Sequence, residues 1–90
     1  MNIRLPQPLR FAVDGATTVP IEAPTLAQLP AAIAARYPRL GERILAGGAF
    51  GQFVTVFLDG EDVRYLEPTF DLRAVKTVEI LPAVSGGSLG

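Results

Sequence analysis

The sequence contains neither cysteine nor histidine. A chain without cysteine has no thiolate nucleophile and forms no disulfide bond, and a chain without histidine has no imidazole to act as a general base. The usual ligands of zinc are missing as well. These absences remove most catalytic mechanisms, so we expect no catalytic residue and no metal site in this chain.

The sequence also lacks an excess of charge of either sign. Eight Lys and Arg residues are balanced by nine Asp and Glu residues, which gives a formal net charge of -1. Proteins that bind nucleic acid or an anionic membrane through electrostatic attraction usually carry a clear basic excess. We therefore expect neither nucleic acid nor a membrane as a partner.

Long apolar segments are missing too. No stretch approaches the roughly 20 residues that a transmembrane helix needs. Arg4, Pro6 and Pro8 interrupt the N-terminal region where a signal peptide would need an unbroken apolar run. The expected location is the cytoplasm.

What is present is the composition of a folded protein, with 49% hydrophobic and 19% charged residues. Ninety residues are enough for one domain and too few for two. We assign residues 1–82 to this domain and residues 83–90 to a flexible C-terminal tail that contains a Gly-Gly pair.

The first predicted feature is a hairpin. Asp14-Gly15 lies between two apolar runs rich in β-branched residues, which is a strong local signal for a turn between strands. We predict strands at about residues 9–13 and 17–22, with an alternative in which the first strand begins near Ile3. Pro6 and Pro8 make the early part irregular, because proline donates no ladder hydrogen bond.

A helical pattern follows. Apolar residues recur at spacings of three and four, which places them on one face of a helix: Leu26, Leu29, Ile33, Tyr37, Leu40 and Ile44. Thr25 and Gln28 fit a capping box at its start, unless the helix begins at Pro30 and the box does not form. Pro38 should end the helix near Arg36 or Tyr37.

The second half of the sequence reads as strands. A dense apolar run from Phe53, an Asp59-Gly60 turn and an alternating Val63/Tyr65 segment predict a second hairpin, and Val78 and Ile80 alternate in a last strand that stops at Pro82. The order is strand, strand, helix, strand, short strand, strand. We therefore predict an α+β protein of the β-grasp type, with a mixed sheet of about five strands and one main helix packed on one face.

Several polar clusters permit a binding role, and each has a simpler explanation. The glycine-rich residues 47–51 lack the following helix of a phosphate-binding loop, so a plain connection is favoured. Asp59, Glu61 and Asp62 lack the ligand spacing of a calcium loop, so a solvated turn is favoured, and a negatively charged surface for a basic partner is an open alternative. We expect neither group to hold a ligand.

Basic and aromatic residues near the end of the chain also leave two interpretations. Arg64, Arg73 and Lys76 would form a basic rim that attracts an acidic partner, or would serve only solubility. Three phenylalanines are expected mainly in the core, although a strand face that the helix leaves uncovered would suit a partner: Phe53, Phe57 and Phe70.

The tail has the composition of a segment that enters a narrow cleft. The six residues from Pro82 to Gly87 reach roughly 20 Å when extended, and glycine has no Cβ to obstruct a tight channel. A terminal glycine carboxylate is also unhindered towards attack by an enzyme. The alternative is a frayed end without function.

Three segments together resemble one family. "ARYPRLGERIL", "FVTVFLDGEDVRYL" and "VEILPAVSGG" look like the ubiquitin-like sulfur carriers of the ThiS/MoaD type, and especially their CysO-like branch. The resemblance covers nearly the whole chain and is loosest over the first 24 residues. One departure is that "DLRAVKTVEI" lacks the Asp-Gly turn that usually precedes the final strand in this family.

The resemblance implies a β-grasp fold and a non-catalytic role as the co-substrate of other enzymes. An ATP-dependent adenylyltransferase of the ubiquitin-activating kind (ThiF/MoeB type) would activate Gly87, which would then carry sulfur as a thiocarboxylate, while Gly86 gives access. The carrier itself would bind no cofactor, because the partner uses the ATP. The residues expected to dock on partners are Phe57, Ile80, Leu81, Pro82 and Val84.

In most members of this family the chain stops at the second glycine, whereas here Ser88, Leu89 and Gly90 follow it. The resemblance therefore implies a precursor that a zinc-dependent JAMM-type protease cleaves between Gly87 and Ser88. The implied acceptor of sulfur is an enzyme such as a cysteine-synthase-like protein. Two alternatives remain, namely the small subunit of molybdopterin synthase and a ubiquitin-like protein modifier.

Overall fold

The computed structural model describes residues 1–83 of the chain. The predicted roles of Val84, Gly86, Gly87 and Ser88 therefore lie outside the described residues, and the division into a domain and a tail stays a prediction.

Short strands and helices alternate along the chain. The strands are β1 (Asn2–Arg4), β2 (Thr18–Pro20), β3 (Leu45–Ala46), β4 (Ala49–Phe50), β5 (Val54–Leu58), β6 (Glu61–Asp62) and β7 (Thr77–Pro82). The helices are α1 (Leu29–Arg36) and α2 (Pro38–Ile44), with 3₁₀ helices at Gln7–Val13, Leu26–Gln28 and Val63–Tyr65. No helix of residues 1–83 is long and apolar enough to cross a bilayer.

The last strand occupies the centre of the main sheet. The strand order is β2-β1-β7-β5-β6, and β7 pairs in parallel with β1 and antiparallel with β5. β3 and β4 form a separate two-stranded hairpin. A five-stranded mixed sheet with a central parallel pair is the predicted β-grasp arrangement, so the predicted fold class is confirmed.

One face of this sheet packs against the helices to form the core. Ile3, Val56, Val78 and Ile80 point inwards from the strands, and the helices contribute residues of equally complete burial: Leu29, Ile33, Leu40 and Ile44. All of these side chains are at most 2% exposed. Burying an aliphatic side chain of this size stabilises the fold by about 1.5–3 kcal/mol, so the apolar stripe and the strand alternation together determine the layer order.

The predicted strand at residues 9–13 is wrong. Residues Gln7–Val13 form a 3₁₀ helix with Pro8 in its first turn, and Ala12 and Val13 point to the core. Proline favours a helix start because it lacks the N–H that would be unpaired there. A strand does begin near Ile3, but this strand, β1, ends at Arg4 and does not continue to residue 13. The turn at Asp14 and Gly15 ends the 3₁₀ helix with φ angles of 57° and 84°.

The apolar stripe belongs to two consecutive helices and not to one. Tyr37 separates them with φ −131° and ψ 73°, because Pro38 disfavours the helical conformation in the residue before it. The capping box is also wrong, since the hydroxyl of Thr25 donates to the side-chain Oε1 of Gln28 (2.9 Å). α1 begins at Leu29 with Pro30 in its first turn, in agreement with the alternative start.

Two tight turns confirm the glycine signals. Gly47 and Gly48 join β3 to β4, and Asp59 and Gly60 join β5 to β6, all with positive φ angles. This is the geometry of two-residue hairpin turns, which glycine adopts without strain. Gly47 and Gly48 therefore form a hairpin turn, whereas Ala49 and Phe50 of the predicted connecting loop form β4. The Val63/Tyr65 segment is a 3₁₀ helix and not the predicted strand.

Candidate functional site

The helices leave the second face of the sheet uncovered. Residue pairing places Phe57 opposite Glu79, Thr55 opposite Leu81, and Arg4 beside Glu79. Because side chains alternate across a strand, these residues point away from the core residues Val56 and Ile80. We call this surface the open face.

Apolar side chains on the open face form a line that leads to the end of β7. Phe57 is half-buried, Leu81 is 38% exposed and Phe53 is 75% exposed. Phe57 and Leu81 lie on the outer face by alternation along β5 and β7, and Phe53 lies in the turn directly before β5. We call Phe53, Phe57 and Leu81 the apolar line.

The tail leaves the sheet at the end of this line. Pro82 pairs with Val54, and the N–H of Ala83 donates to the carbonyl oxygen of Phe53 at 2.9 Å. The ladder therefore holds the chain one residue beyond β7.

The structure separates the predicted docking residues into two groups. Leu81 and Pro82 are exposed and Phe57 is half-buried on the open face, so their side chains are accessible to a partner. Ile80 is 0% exposed, so its predicted contact with a partner is wrong and its side chain belongs to the core. Val84 lies outside the described residues.

The phenylalanines divide in the same way. Phe70 is partly buried against the core, in agreement with the prediction, whereas Phe53 is not a core residue. Phe53 lies in the turn before β5, and the nearby Gly51 is the sequence signal that would have favoured an exposed position.

The acidic turn has a structural role. The carboxylate of Asp59 accepts hydrogen bonds from the backbone N–H groups of Lys76 (3.2 Å) and Thr77 (2.9 Å), which fixes the start of β7. Within residues 1–83 no group of three or more acidic side chains has an arrangement that would hold a metal ion. The position of Asp59 is therefore explained by its hydrogen bonds to the start of β7, whereas a negatively charged surface for a basic partner stays a prediction.

Two arginines of the predicted basic rim are engaged with neighbouring aspartates. Arg64 pairs with Asp62 at 2.6 Å and Arg73 with Asp71 at 2.7 Å. Hydrogen bonds from these guanidinium groups lower the pKa of Asp62 and hold the pKa of Asp71 at about 2.

Lys76 precedes β7, whose six residues span roughly 20 Å before the tail leaves. The prediction that Lys76 belongs to a basic rim near the end of the chain is therefore wrong.

Comparison with known proteins agrees with this geometry. The model of a family described as the ThiS family matches residues 3–87 of the chain. The chain belongs to the ThiS family. Members of this family are small ubiquitin-like carrier proteins, and the match extends from β1 through the Gly-Gly pair.

Solved structures of ThiS-type proteins share the fold. CysO of Mycobacterium tuberculosis is 28% identical with a TM-score of 0.77, and the alignment covers 92% of this chain and 98% of that one. CysO of Amycolatopsis orientalis, solved in complex with BexX, is 25% identical with a TM-score of 0.78 over 96% of this chain and 98% of that one.

Small archaeal modifier protein 1 of Haloferax volcanii shares the fold at 23% identity, with a TM-score of 0.73 over 97% of this chain and 98% of that one. A search of curated proteins finds no match.

Proposed function

We propose that this ThiS-family chain is a sulfur carrier proprotein whose Gly87 carboxylate is converted into a thiocarboxylate. The observation that supports the proposal most directly is the continuity of the open face with the tail. The apolar line of Phe53, Phe57 and Leu81 ends where the chain leaves the sheet, and the family match extends to Gly87.

The reaction that we propose has two steps, both catalysed by a partner. An adenylyltransferase of the ThiF/MoeB type joins the Gly87 carboxylate to the α-phosphate of ATP, which forms an acyl adenylate and releases pyrophosphate. Hydrosulfide then attacks the acyl carbon, AMP leaves, and the thiocarboxylate remains. The carrier supplies the acyl group and acts as a co-substrate, so it needs no catalytic residue of its own.

The open face is the proposed docking surface for this enzyme. An apolar centre with a polar border is typical of surfaces that bind proteins, and here Leu81 and Phe57 are bordered by Arg4 and Glu79. β7 ends at Pro82, and the N–H of Ala83 still donates to the carbonyl oxygen of Phe53. Val84, Ser85 and Gly86 then carry Gly87 roughly 13 Å beyond Ala83 when extended.

A cleavage step precedes activation in this proposal. Ser88 follows Gly87 directly, so the Gly87 carbonyl is part of a peptide bond and offers no carboxylate. A JAMM-type metalloprotease that hydrolyses the Gly87–Ser88 bond would release it. Water supplies the hydroxyl group of the new carboxylate, and the amine leaves with Ser88.

Sulfur transfer to cysteine biosynthesis, through a cysteine-synthase-like acceptor, is the pathway that we favour. The likeness to two proteins named CysO, at 28% and 25% identity over nearly all of the chain, supports this choice. The thiocarboxylate sulfur would attack the electrophilic carbon of an acceptor held by that enzyme and displace its leaving group, which gives a thioester to Gly87. Hydrolysis of the acyl–sulfur bond by water would then release the sulfur-bearing product and restore the Gly87 carboxylate.

The deciding experiment is the intact mass of the protein isolated from its native cells. Loss of Ser-Leu-Gly, together with the mass change for one oxygen replaced by sulfur, is the expected result. A chain that ends at Gly87 should form the thiocarboxylate with an adenylyltransferase, ATP and hydrosulfide. A matched chain that ends at Gly87 with Gly86→Val should form it poorly, because a side chain would obstruct a narrow channel in the enzyme.

Three other outcomes would redirect the proposal. A full-length mass in growing cells would contradict processing. Gly-Gly remnants on lysines of other proteins would indicate a protein modifier. Stable co-purification with a larger subunit of molybdopterin synthase would indicate the molybdenum cofactor pathway.

A further inference from the structure

The helical side of the molecule carries a second surface, which the proposed function does not use. Phe11 lies on the 3₁₀ helix Gln7–Val13 and is 47% exposed, although its side chain is large and apolar. Arg39 and Arg43 are one turn apart on α2. Both lie over the Phe11 ring, with their Cζ atoms 5.9 Å and 5.1 Å from the ring centre.

A groove of about 250 Å³ adjoins these residues. Its floor is apolar and nearly buried, formed by Ala12, Val13 and Val19. Arg36 and Arg39 line its rim, and Arg36 lies over the ring of Tyr37 at 5.7 Å. We call Phe11, Arg36, Arg39 and Arg43 the arginine surface.

The charges of this surface have no partner within residues 1–83. Arg64 and Arg73 pair with neighbouring aspartates, whereas Arg36, Arg39 and Arg43 form no ion pair in the described part of the chain. Asp14 lines the groove and Glu42 lies on α2, but neither pairs with an arginine there.

Stacking on an aromatic ring leaves the N–H groups at the edge of a guanidinium available, and it holds them in place. Two cations over one ring also repel each other, and a carboxylate placed between or beside them relieves this repulsion. The arginine surface is therefore arranged to receive anionic groups.

We propose that the arginine surface binds an acidic segment of a partner protein, with carboxylates on Arg39 and Arg43 and an apolar side chain in the groove. Side chains one helical turn apart are about 5–6 Å from each other, which is close to the spacing of alternate side chains in an extended segment. An acidic peptide with carboxylates at alternate positions matches this pair.

The position of Arg43 connects the two surfaces of the molecule. Arg43 also lines a second groove, of about 320 Å³, that reaches Phe53. The acidic segment therefore lies within reach of a protein that holds the tail. This proximity to a protein that holds the tail rests on the proposed function, whereas binding of the acidic segment to the arginine surface does not.

The test is an NMR titration of the full chain, labelled with ¹⁵N, with a synthetic peptide in which glutamate alternates with serine around one leucine. Amide shifts should be largest at Phe11, Arg39 and Arg43. The double variant Arg39→Gln/Arg43→Gln should weaken binding about tenfold or more, and a peptide with glutamine in place of glutamate should not bind.

The matched control is Arg64→Gln/Arg73→Gln, which removes the same charge elsewhere and should change affinity less than about twofold. Equal losses in the two double variants would overturn the proposal, because they would indicate binding by net charge alone. Tighter binding of an RNA oligonucleotide at the same amides would also overturn it.

Deletion of the residues after Ala83 separates this proposal from the carrier mechanism. Peptide binding should persist without the tail, whereas thiocarboxylate formation should be lost. A chain that is loaded at Gly87 but does not bind the peptide would contradict the arginine surface and leave the carrier mechanism intact.

Discussion

The two faces of the main sheet differ although the same strands form both. On the face covered by the helices, Val56, Val78 and Ile80 are almost completely buried. On the open face, Phe57 and Leu81 come from positions directly next to these residues in the sequence. Neighbouring residues of β5 and β7 thus point separately to the packed layer and to the uncovered surface, so a substitution on one face should have little effect on the other.

The difference arises because the helices form one layer only. Leu29 and Ile33 of α1 and Leu40 and Ile44 of α2 all point to the same face. No other element within residues 1–83 covers the second face, and an apolar group exposed there is available to a partner. The comparison predicts that substitutions on the covered face cost stability, whereas those on the open face cost recognition.

The largest loss of stability is expected for Ile80→Ala. Ile80 is 0% exposed at the centre of the sheet, so removing its methyl groups leaves a cavity and should lower the free energy of unfolding by about 2–5 kcal/mol. Urea denaturation measures this directly. A loss below about 1 kcal/mol would contradict the prediction that substitutions on the covered face cost stability.

A smaller loss is expected for Tyr37→Phe. The hydroxyl of Tyr37 donates to the carbonyl oxygen of Pro20 at 2.6 Å, which ties the end of α1 to the edge strand β2. Its removal should cost about 1 kcal/mol. Thermal unfolding compared with wild type measures it, and an unchanged midpoint would mean that the helical layer does not depend on this bond.

Substitution of Leu81 should separate stability from function. Leu81→Asp places a charge on the open face next to the tail, so it should change the unfolding free energy by about 0.5 kcal/mol or less. The rate of thiocarboxylate formation should fall about tenfold or more, since truncating a central interface contact costs more than about 1 kcal/mol. Unfolding together with loss of the reaction would show that the open face also serves the fold.

The smallest effect is expected for Asp71→Asn and depends on pH. The pKa of Asp71 is lowered from 3.8 to about 2 by hydrogen bonds from Arg73. A lowered pKa contributes stability above the unfolded value, and this contribution disappears as the pH falls through about 2.

Wild type should therefore unfold at a slightly higher temperature than Asp71→Asn at pH 5–7, and the difference should vanish near pH 2. A difference that grows on acidification would have the wrong sign.

The sequence predicted features that depend on a few adjacent residues better than features that depend on the tertiary fold. The alternation of Val78 and Ile80 and the turn at Asp59-Gly60 are properties of a few adjacent residues, and the structure confirms them. Pro82 ends β7 as predicted, although the N–H of Ala83 adds one ladder hydrogen bond beyond it. The segment at residues 9–13 was misread because its apolar residues suit a strand or a 3₁₀ helix equally well. Pro8 decided in favour of the helix by starting it.

The candidate site was less accessible to sequence reasoning. The Gly-Gly pair is visible in the sequence and carries the resemblance to sulfur carriers. Phe53 was expected mainly in the core but is exposed, and Ile80 was expected on a docking surface but is buried. Both are apolar residues in strand patterns, and only the position of the helical layer distinguishes them. The sequence did not predict the arginine surface either, because Phe11 and Arg43 come into contact only when residues 7–13 pack against α2.

The sequence by itself determined the α+β class, the approximate order of elements and the presence of a glycine pair after the last strand. These follow from periodicity, turn residues and composition, which act over a few neighbouring residues. Only the tertiary structure decided which face of each strand is covered, which phenylalanine is exposed and which arginines share a surface. Those properties depend on contacts between residues distant in sequence, and no local pattern contains them.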